Sequence, residues 1–167
     1  MNHRDPRLRT ILRAGVLLAV ATFAGWRVLG LVQAERWASK DPARALQWRP
    51  HHPRALRLQA EQQLAAGKID AARASARQLL GVEPLEGRGF RILAEAAARQ
   101  GDLQQALLLY QVAARRSPRD VRTRAWLTEH FLVAGDYPAA LQQIDALLRT
   151  SPGQGATLLP LLAQWAA

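Results

Sequence analysis

The sequence predicts an all-α protein in which a single N-terminal transmembrane helix precedes a solenoid of about three helical hairpins with flanking half-repeats. Alanine and leucine dominate the composition and β-branched residues are sparse, which favours helix over sheet. Prolines recur with a period of 34 residues, at Pro50, Pro84, Pro118 and Pro152. Glycine and alanine share this period, in the series Gly67, Gly101 and Gly135 and the series Ala72, Ala106 and Ala140. Three series with one period indicate repeated structural units.

The composition limits both the size and the chemistry of the protein. The chain has 167 residues, of which 49% are apolar, and this is enough for one modest domain and an attachment segment. It contains no cysteine, which excludes a disulfide framework, a cysteine nucleophile and a thiolate metal site. The formal net charge is +10, but residues 35–167 carry 18 basic and 12 acidic side chains. This balance permits acidic partners without requiring nucleic acid.

The N-terminal region predicts a membrane anchor. Residues 1–13 form a basic segment with four arginines, and residues 14–32 are apolar apart from Arg27, Thr22 and the glycines. A helix over 14–32 would be about 28 Å long, close to the thickness of the hydrocarbon core. The positive-inside rule then predicts a single-pass protein of the inner (cytoplasmic) membrane, with a cytoplasmic N-terminus and the repeats in the periplasm or outside the cell.

Two alternatives to the anchor remain open at this stage. A signal peptide cleaved after Ala34 would give the same compartment, although Trp26 and Arg27 interrupt the approach to that site. A buried soluble helix is the other alternative. Trp26 and Trp37 lie near the far end of the apolar stretch, where indole rings favour the membrane interface.

Residues 33–49 are predicted to form a connector with a short capping helix. Asp41 and Pro42 have the character of an N-cap and a first helical residue, and the helix would end at Trp48. Three units of two helices each then follow over 50–83, 84–117 and 118–151. In each unit the glycine ends the first helix, because it tolerates a left-handed conformation. Asp102 and Asp136 can cap the second helices of the later two units.

The second unit carries a resemblance to a known family. It has large, small and aromatic residues in a characteristic order, namely Phe90, Leu93, Ala94, Gly101, Ala106, Tyr110, Ala113 and Pro118. This pattern resembles the tetratricopeptide repeat over about residues 50–152, and with the N-terminal segment it resembles the membrane-anchored bacterial envelope type. Arg124 departs from the pattern in the third unit, where Trp126 is expected to compensate. The resemblance implies a right-handed α-solenoid that binds other proteins or peptides and is not an enzyme.

Two further series define a candidate protein-binding face on the first helices. Arginines recur at Arg54, Arg88 and Arg122, and glutamates recur at Glu61, Glu95 and Glu129. Arg57 and Arg91 precede the first two glutamates by four residues and so share their helix face. One interpretation is an inner groove whose arginines grip a carboxylate, as some members of the family do, although glutamate replaces the usual asparagine. The other interpretation is a set of ion pairs that span adjacent repeats.

Residues 153–167 are predicted to form an additional terminal helix with an apolar contact face. Its residues are Leu158, Leu161, Leu162 and Trp165. A terminal helix of a solenoid should present a polar outer surface. The apolar face therefore indicates either a longer native chain or an oligomer formed through this helix.

The sequence predicts a membrane-anchored scaffold of the cell envelope. An alternative is the non-catalytic anchor and repeat portion of a larger envelope enzyme, or a component of a polysaccharide or secretion assembly. No catalytic residues, metal ligands or cofactors are expected, and the glutamate series argues against nucleic acid. The pair His51 and His52 is interpreted as a solvated turn.

Overall fold

The computed structural model describes residues 22, 23, 26 and 30–150, and regular structure in these residues is all helical. They fall into two compact units, and the chain passes from the first to the second between Ala55 and Leu56. The predicted transmembrane segment 14–32 lies largely outside the described residues. The terminal helix, with Leu158, Leu161, Leu162 and Trp165, lies wholly outside them. Of the helices in the described part of the chain, none is both long and apolar enough to cross a bilayer.

The helices follow the 34-residue period. Residues 30–38 are helical and precede seven further helices. Those seven are α1 (Pro42–Trp48), α2 (Pro53–Ala65), α3 (Ile69–Val82), α4 (Gly87–Arg99), α5 (Leu103–Arg116), α6 (Val121–Val133) and α7 (Tyr137–Thr150). Thus α2 and α3, α4 and α5, and α6 and α7 form three helical hairpins, each of which begins three residues after the start of a predicted unit.

The turn inside each hairpin depends on its glycine. Gly67, Gly101 and Gly135 have φ angles of 73°, 83° and 74°, in the left-handed region that an L side chain disfavours. After the second and third glycines an aspartate caps the next helix. Asp102 Oδ1 accepts a hydrogen bond of 3.0 Å from the backbone N–H of Gln105, and Asp136 Oδ1 accepts one of 3.1 Å from Ala139. The predicted glycine turns and aspartate caps are both confirmed.

The first unit is built on small residues and on a buried histidine. Ala38, Ala45 and Ala55 are fully buried and form its core. Asp41 caps α1 as predicted, because its Oδ1 accepts a hydrogen bond of 3.0 Å from the backbone N–H of Arg44.

The expectation that His52 is a solvated turn residue is wrong. The side chain is 4% exposed, and its Nδ1 accepts a hydrogen bond of 3.3 Å from the N–H of Ala55 in the first turn of α2. This places the proton of the neutral ring on Nε2, which lies 2.8 Å from Glu35 Oε2. The hydrogen bond from His52 holds the pKa of Glu35 below its ordinary value. The ring therefore joins the helical segment 30–38 to the start of α2.

The second unit has a core made largely of alanine between helices. One cluster joins α2, α3 and α4 through Ala60, Leu64, Ala72, Ala76, Ile92 and Ala96. The next joins α4, α5 and α6 through Ala94, Ala97, Ala106, Tyr110, Ala114 and Leu127. Small side chains allow the helices to approach closely, and α4 contributes to both clusters. The central repeat therefore connects the other two.

We expect Gly101→Ala to lower the free energy of unfolding by about 1–2 kcal/mol, because alanine would have to adopt a left-handed conformation. Urea unfolding followed by circular dichroism measures the change. Gly81→Ala is the matched control, since Gly81 lies inside α3 with open space around it and should gain up to about 1 kcal/mol. Equal effects of the two substitutions would contradict the role assigned to the turn.

Candidate protein-binding face

Arg91, in the first turns of α4, is buried between carboxylates from all three repeats. The residue is 3% exposed. Its Nη2 donates a hydrogen bond of 2.5 Å to Glu61 Oε1 in α2, and its Nη1 lies 3.7 Å from Glu95 Oε2 in its own helix. Its Nε lies 2.9 Å from Asp120 Oδ2, just before α6, in an ion pair without hydrogen-bond geometry. A single guanidinium group therefore connects the first, second and third repeats.

The carboxylates around Arg91 are partly exposed to solvent. The side chains of Glu61 and Glu95 are each 28% exposed and that of Asp120 is 12% exposed, against 4% for Arg91. A buried charge is costly unless it is paired, so the net stabilisation from such a cluster is small. Removing the guanidinium, however, would leave three carboxylates facing one another. We therefore interpret the cluster as a constraint on how the repeats are arranged.

Two further arginines bind carbonyl groups near the ends of helices in the preceding repeat. Arg99 Nη1 donates a hydrogen bond of 2.6 Å to the carbonyl of Leu64 in α2, while its Nη2 donates one of 2.7 Å to Glu95. Arg124 Nη2 donates one of 3.2 Å to the carbonyl of Ala114 in α5. The last carbonyls of a helix have no intrahelical partner, and the contact from Arg124 satisfies that of Ala114. The carbonyl of Leu64 also accepts a hydrogen bond of 3.1 Å from the N–H of Gly67. Burial lowers the pKa of Arg124.

The other residues of the arginine series are not part of the Arg91 cluster. Arg54, Arg88 and Arg122 are exposed and Arg57 is half-buried. Arg54 Nη1 lies 4.0 Å from Glu35 Oε1, whereas Arg57, Arg88 and Arg122 form no ion pair with any residue that the structure describes. Glu129 is exposed and likewise lacks an ion pair within that part of the chain. The structure therefore divides the predicted residues into a buried cluster and three arginines without an ion pair, which we call the arginine row: half-buried Arg57 and exposed Arg88 and Arg122.

A shallow pocket lies beside Arg88 in the second unit. Its volume is about 340 Å³, and its lining comprises Arg88, Ser117, Pro118, Arg119, Asp120 and Thr150. Two arginines thus line the pocket together with one carboxylate, Asp120, which also pairs with Arg91. Guanidinium groups bind carboxylates through paired hydrogen bonds. The pocket is therefore suited to an acidic group.

An aromatic stack joins the second repeat to the third. The rings of Tyr110 and Trp126 are stacked with centroids 4.2 Å apart, and His130 continues the stack at 5.0 Å from Trp126. Burial raises the pKa of Tyr110. Trp126 packs against the core and so supplies the large residue that the third repeat lacks at Arg124, as expected. These rings have a packing role.

Sequence reasoning missed four residues that the structure shows to be important. They are Asp120, Arg99, Arg124 and His52. Asp120 lies two residues after Pro118, where a helix N-cap is common, and this signal was available. The partners of the other three lie 10–35 residues away along the chain, so no local pattern indicates them. Within the described residues, no group of three His, Asp or Glu side chains is arranged to hold a metal ion.

Two tetratricopeptide repeat models match the chain, one over residues 57–121 and the other over residues 97–164. Together they cover well over half of it. The chain belongs to the tetratricopeptide repeat family. Tetratricopeptide repeats generally bind other proteins and are generally not catalytic, so the described helices form a protein-interaction fold.

A solved structure supports the fold of this tetratricopeptide repeat protein. The MamA RS-1 ArsTM double mutant is similar with a TM-score of 0.55 and 16% sequence identity, over 77% of this chain and 75% of that chain. At this identity the similarity concerns the fold alone. The comparison with curated proteins gives no match.

We expect Arg91→Met to lower the free energy of unfolding by about 3–5 kcal/mol, because it leaves the carboxylates of the cluster without their buried partner. Urea unfolding measures the loss. The matched control is Arg88→Met on the same helix, which should change stability by no more than about 0.5 kcal/mol because Arg88 is exposed and unpaired. A loss for Arg91→Met as small as that of the control would contradict the assigned role.

Proposed function

We propose that this protein is a membrane-anchored scaffold of the cell envelope, and that the arginine row binds an acidic segment of a partner protein. The observation that carries the proposal is that the acidic side chains on the repeats pair with Arg91 and leave other arginines without an ion pair. Glu61, Glu95 and Asp120 are engaged by the buried Arg91, so they do not neutralise Arg57, Arg88 and Arg122. The row therefore offers unpaired guanidinium groups on a fold that generally binds proteins.

The chemistry of the row favours a carboxylate-bearing peptide. Arg88 shares its pocket with Arg119 and Ser117, whose side chains can also donate to an acidic group, whereas the hydroxyl of Thr150 donates to the carbonyl of Ala146 at 2.7 Å. The backbone at the start of α6 also carries the positive end of the helix dipole close to this pocket. Arg57 is half-buried in the first repeat and forms no ion pair within the described residues.

We expect the double variant Arg88→Gln and Arg122→Gln to lose at least tenfold in partner binding, because charged hydrogen bonds contribute about 1.5–3 kcal/mol each. The partner is first identified by crosslinking in intact membranes and mass spectrometry, and its affinity for the purified chain is then measured. Arg77→Gln with Arg115→Gln is the control, since both arginines are exposed and have the same charge. Unchanged affinity in the first variant would refute binding through the row.

The membrane tether is the second part of the proposal, and the sequence supports it. Residues 14–32 are apolar over a length that matches a bilayer, and four arginines precede them. This arrangement implies an N-terminus in the cytoplasm and repeats in the periplasm or outside the cell. Leu158, Leu161, Leu162 and Trp165 would then be available for contact with another chain or a second copy.

We expect the full chain to remain in the membrane pellet after extraction with alkaline carbonate, because a transmembrane helix resists this treatment. Sizing by mass spectrometry should show an intact N-terminus. The control is a deletion of residues 14–32, which should move the chain to the supernatant. A mature product that begins at Glu35 would show a cleaved signal peptide and would contradict the tether.

A further inference from the structure

The first unit contains a pocket of unusual composition that the scaffold function leaves unexplained. Its volume is about 630 Å³, within the range of small-molecule sites. Three tryptophans, two arginines and two glutamines line it, namely Trp26, Trp37, Trp48, Arg36, Arg44, Gln33 and Gln47. We call it the tryptophan–arginine pocket. Its walls combine large apolar rings with cations and amide groups.

The two sides of the pocket come from different helices. Gln33 and Trp37 are four residues apart in the helical segment 30–38, and Arg44 and Trp48 are four residues apart in α1, so each pair shares a helix face. The rings of Trp26 and Trp48 have centroids 6.2 Å apart at 51° to each other. Arg44 Cζ lies 4.4 Å above the ring of Trp37, which holds the guanidinium group at the pocket wall.

The charge of the pocket is positive and is not neutralised by neighbouring carboxylates. No carboxylate lines it, and Arg36 and Arg44 form no ion pair with any residue in the described ranges. The nearest acidic residues have other partners. Asp41 caps α1 through the N–H of Arg44, and Glu35 pairs with His52. The pocket therefore fits an anion attached to an apolar body.

The exposed tryptophan rings indicate which kind of ligand, with an anionic and an apolar part, is suited to the pocket. Trp26 is 66% exposed and Trp48 is 43% exposed, although both are large and apolar. Indole rings of this kind favour the boundary between lipid and water, and arginines attract anionic headgroups there. Trp26 also belongs to the apolar stretch 14–32, so the proposed tether would bring the pocket to the membrane surface.

We propose that the tryptophan–arginine pocket binds the phosphate headgroup of an anionic phospholipid, with Arg36 and Arg44 on the phosphate and the indole rings beside the glycerol and upper acyl chains. The inference rests on the membrane tether proposed above. It adds that the first unit lies against the bilayer and selects anionic lipid. The amide groups of Gln33 and Gln47 supply additional donors to the headgroup.

The test is a lipid titration of the purified full chain in a nonionic detergent. The probes are short-chain phosphatidylglycerol, short-chain phosphatidylcholine and inorganic phosphate, and the readout is tryptophan fluorescence. The variants are Arg36→Gln with Arg44→Gln, the charge-preserving Arg36→Lys with Arg44→Lys, and the control Arg77→Gln with Arg115→Gln. Circular dichroism shows whether each variant keeps the fold.

The expected result is saturable binding of phosphatidylglycerol that is tighter than binding of phosphatidylcholine. Each arginine near an anionic surface contributes about fivefold, so the double glutamine variant should bind roughly 30-fold more weakly. The lysine variant should retain most of the affinity and the control all of it. Equal losses in the glutamine variant and in the control would overturn the proposal. Binding of inorganic phosphate as tight as that of phosphatidylglycerol would also overturn it, because the lipid would then be irrelevant.

The two proposals fail in distinguishable ways. Loss of the chain from the carbonate-extracted pellet would refute the tether, whatever the titration in detergent gives. A chain that stays in the pellet but binds both lipids equally would refute only the headgroup site. If Trp26→Phe with Trp48→Phe removes a crosslinked protein without changing lipid binding, the pocket is a peptide site and the proposal is wrong.

Discussion

The burial of one guanidinium group between carboxylates of three repeats constrains the rest of the second unit. Arg91 exchanges water for Glu61, Glu95 and Asp120, and although the net gain from such a cluster is small, the loss of one partner is costly. The alanine-rich packing around α4 is largely non-directional and by itself fixes the spacing of helices more than their register. The ion cluster adds directional contacts to this packing. It therefore specifies how the first and third repeats are placed on the second.

The same cluster determines which charges remain for a partner. A row of arginines and glutamates with equal spacing would neutralise itself if each arginine paired with its nearest glutamate. Here Arg91 engages two of the glutamates and Asp120 as well, and Arg99 shares Glu95. Arg57, Arg88 and Arg122 are left without an ion pair in the described part of the chain. Arg91 thus contributes to stability whereas the arginine row is proposed to bind a partner, so mutations can test the two properties separately.

Much of the fold follows from local signals, and these were readable in the sequence. The glycine turns at Gly67, Gly101 and Gly135 depend on backbone conformation, and the aspartate caps depend on residues three positions apart. The distinction between Arg57 and Arg91 was not readable, since both precede a glutamate by four residues. Only Arg91 also meets acidic groups from the repeats on both sides of its own. His52 and Arg99 likewise acquire their roles from partners distant in the chain.

Hydrogen exchange on the Arg91→Met variant tests the central claim most directly. If Arg91 couples the repeats, amide protection should fall in α2 and in α6 as well as in α4, because the carboxylates on both sides lose their common partner. The measurement compares exchange rates of the variant and the parent chain, helix by helix, under conditions in which both are folded. A loss of protection confined to α4 would show that the guanidinium stabilises only its own helix, and would contradict the account.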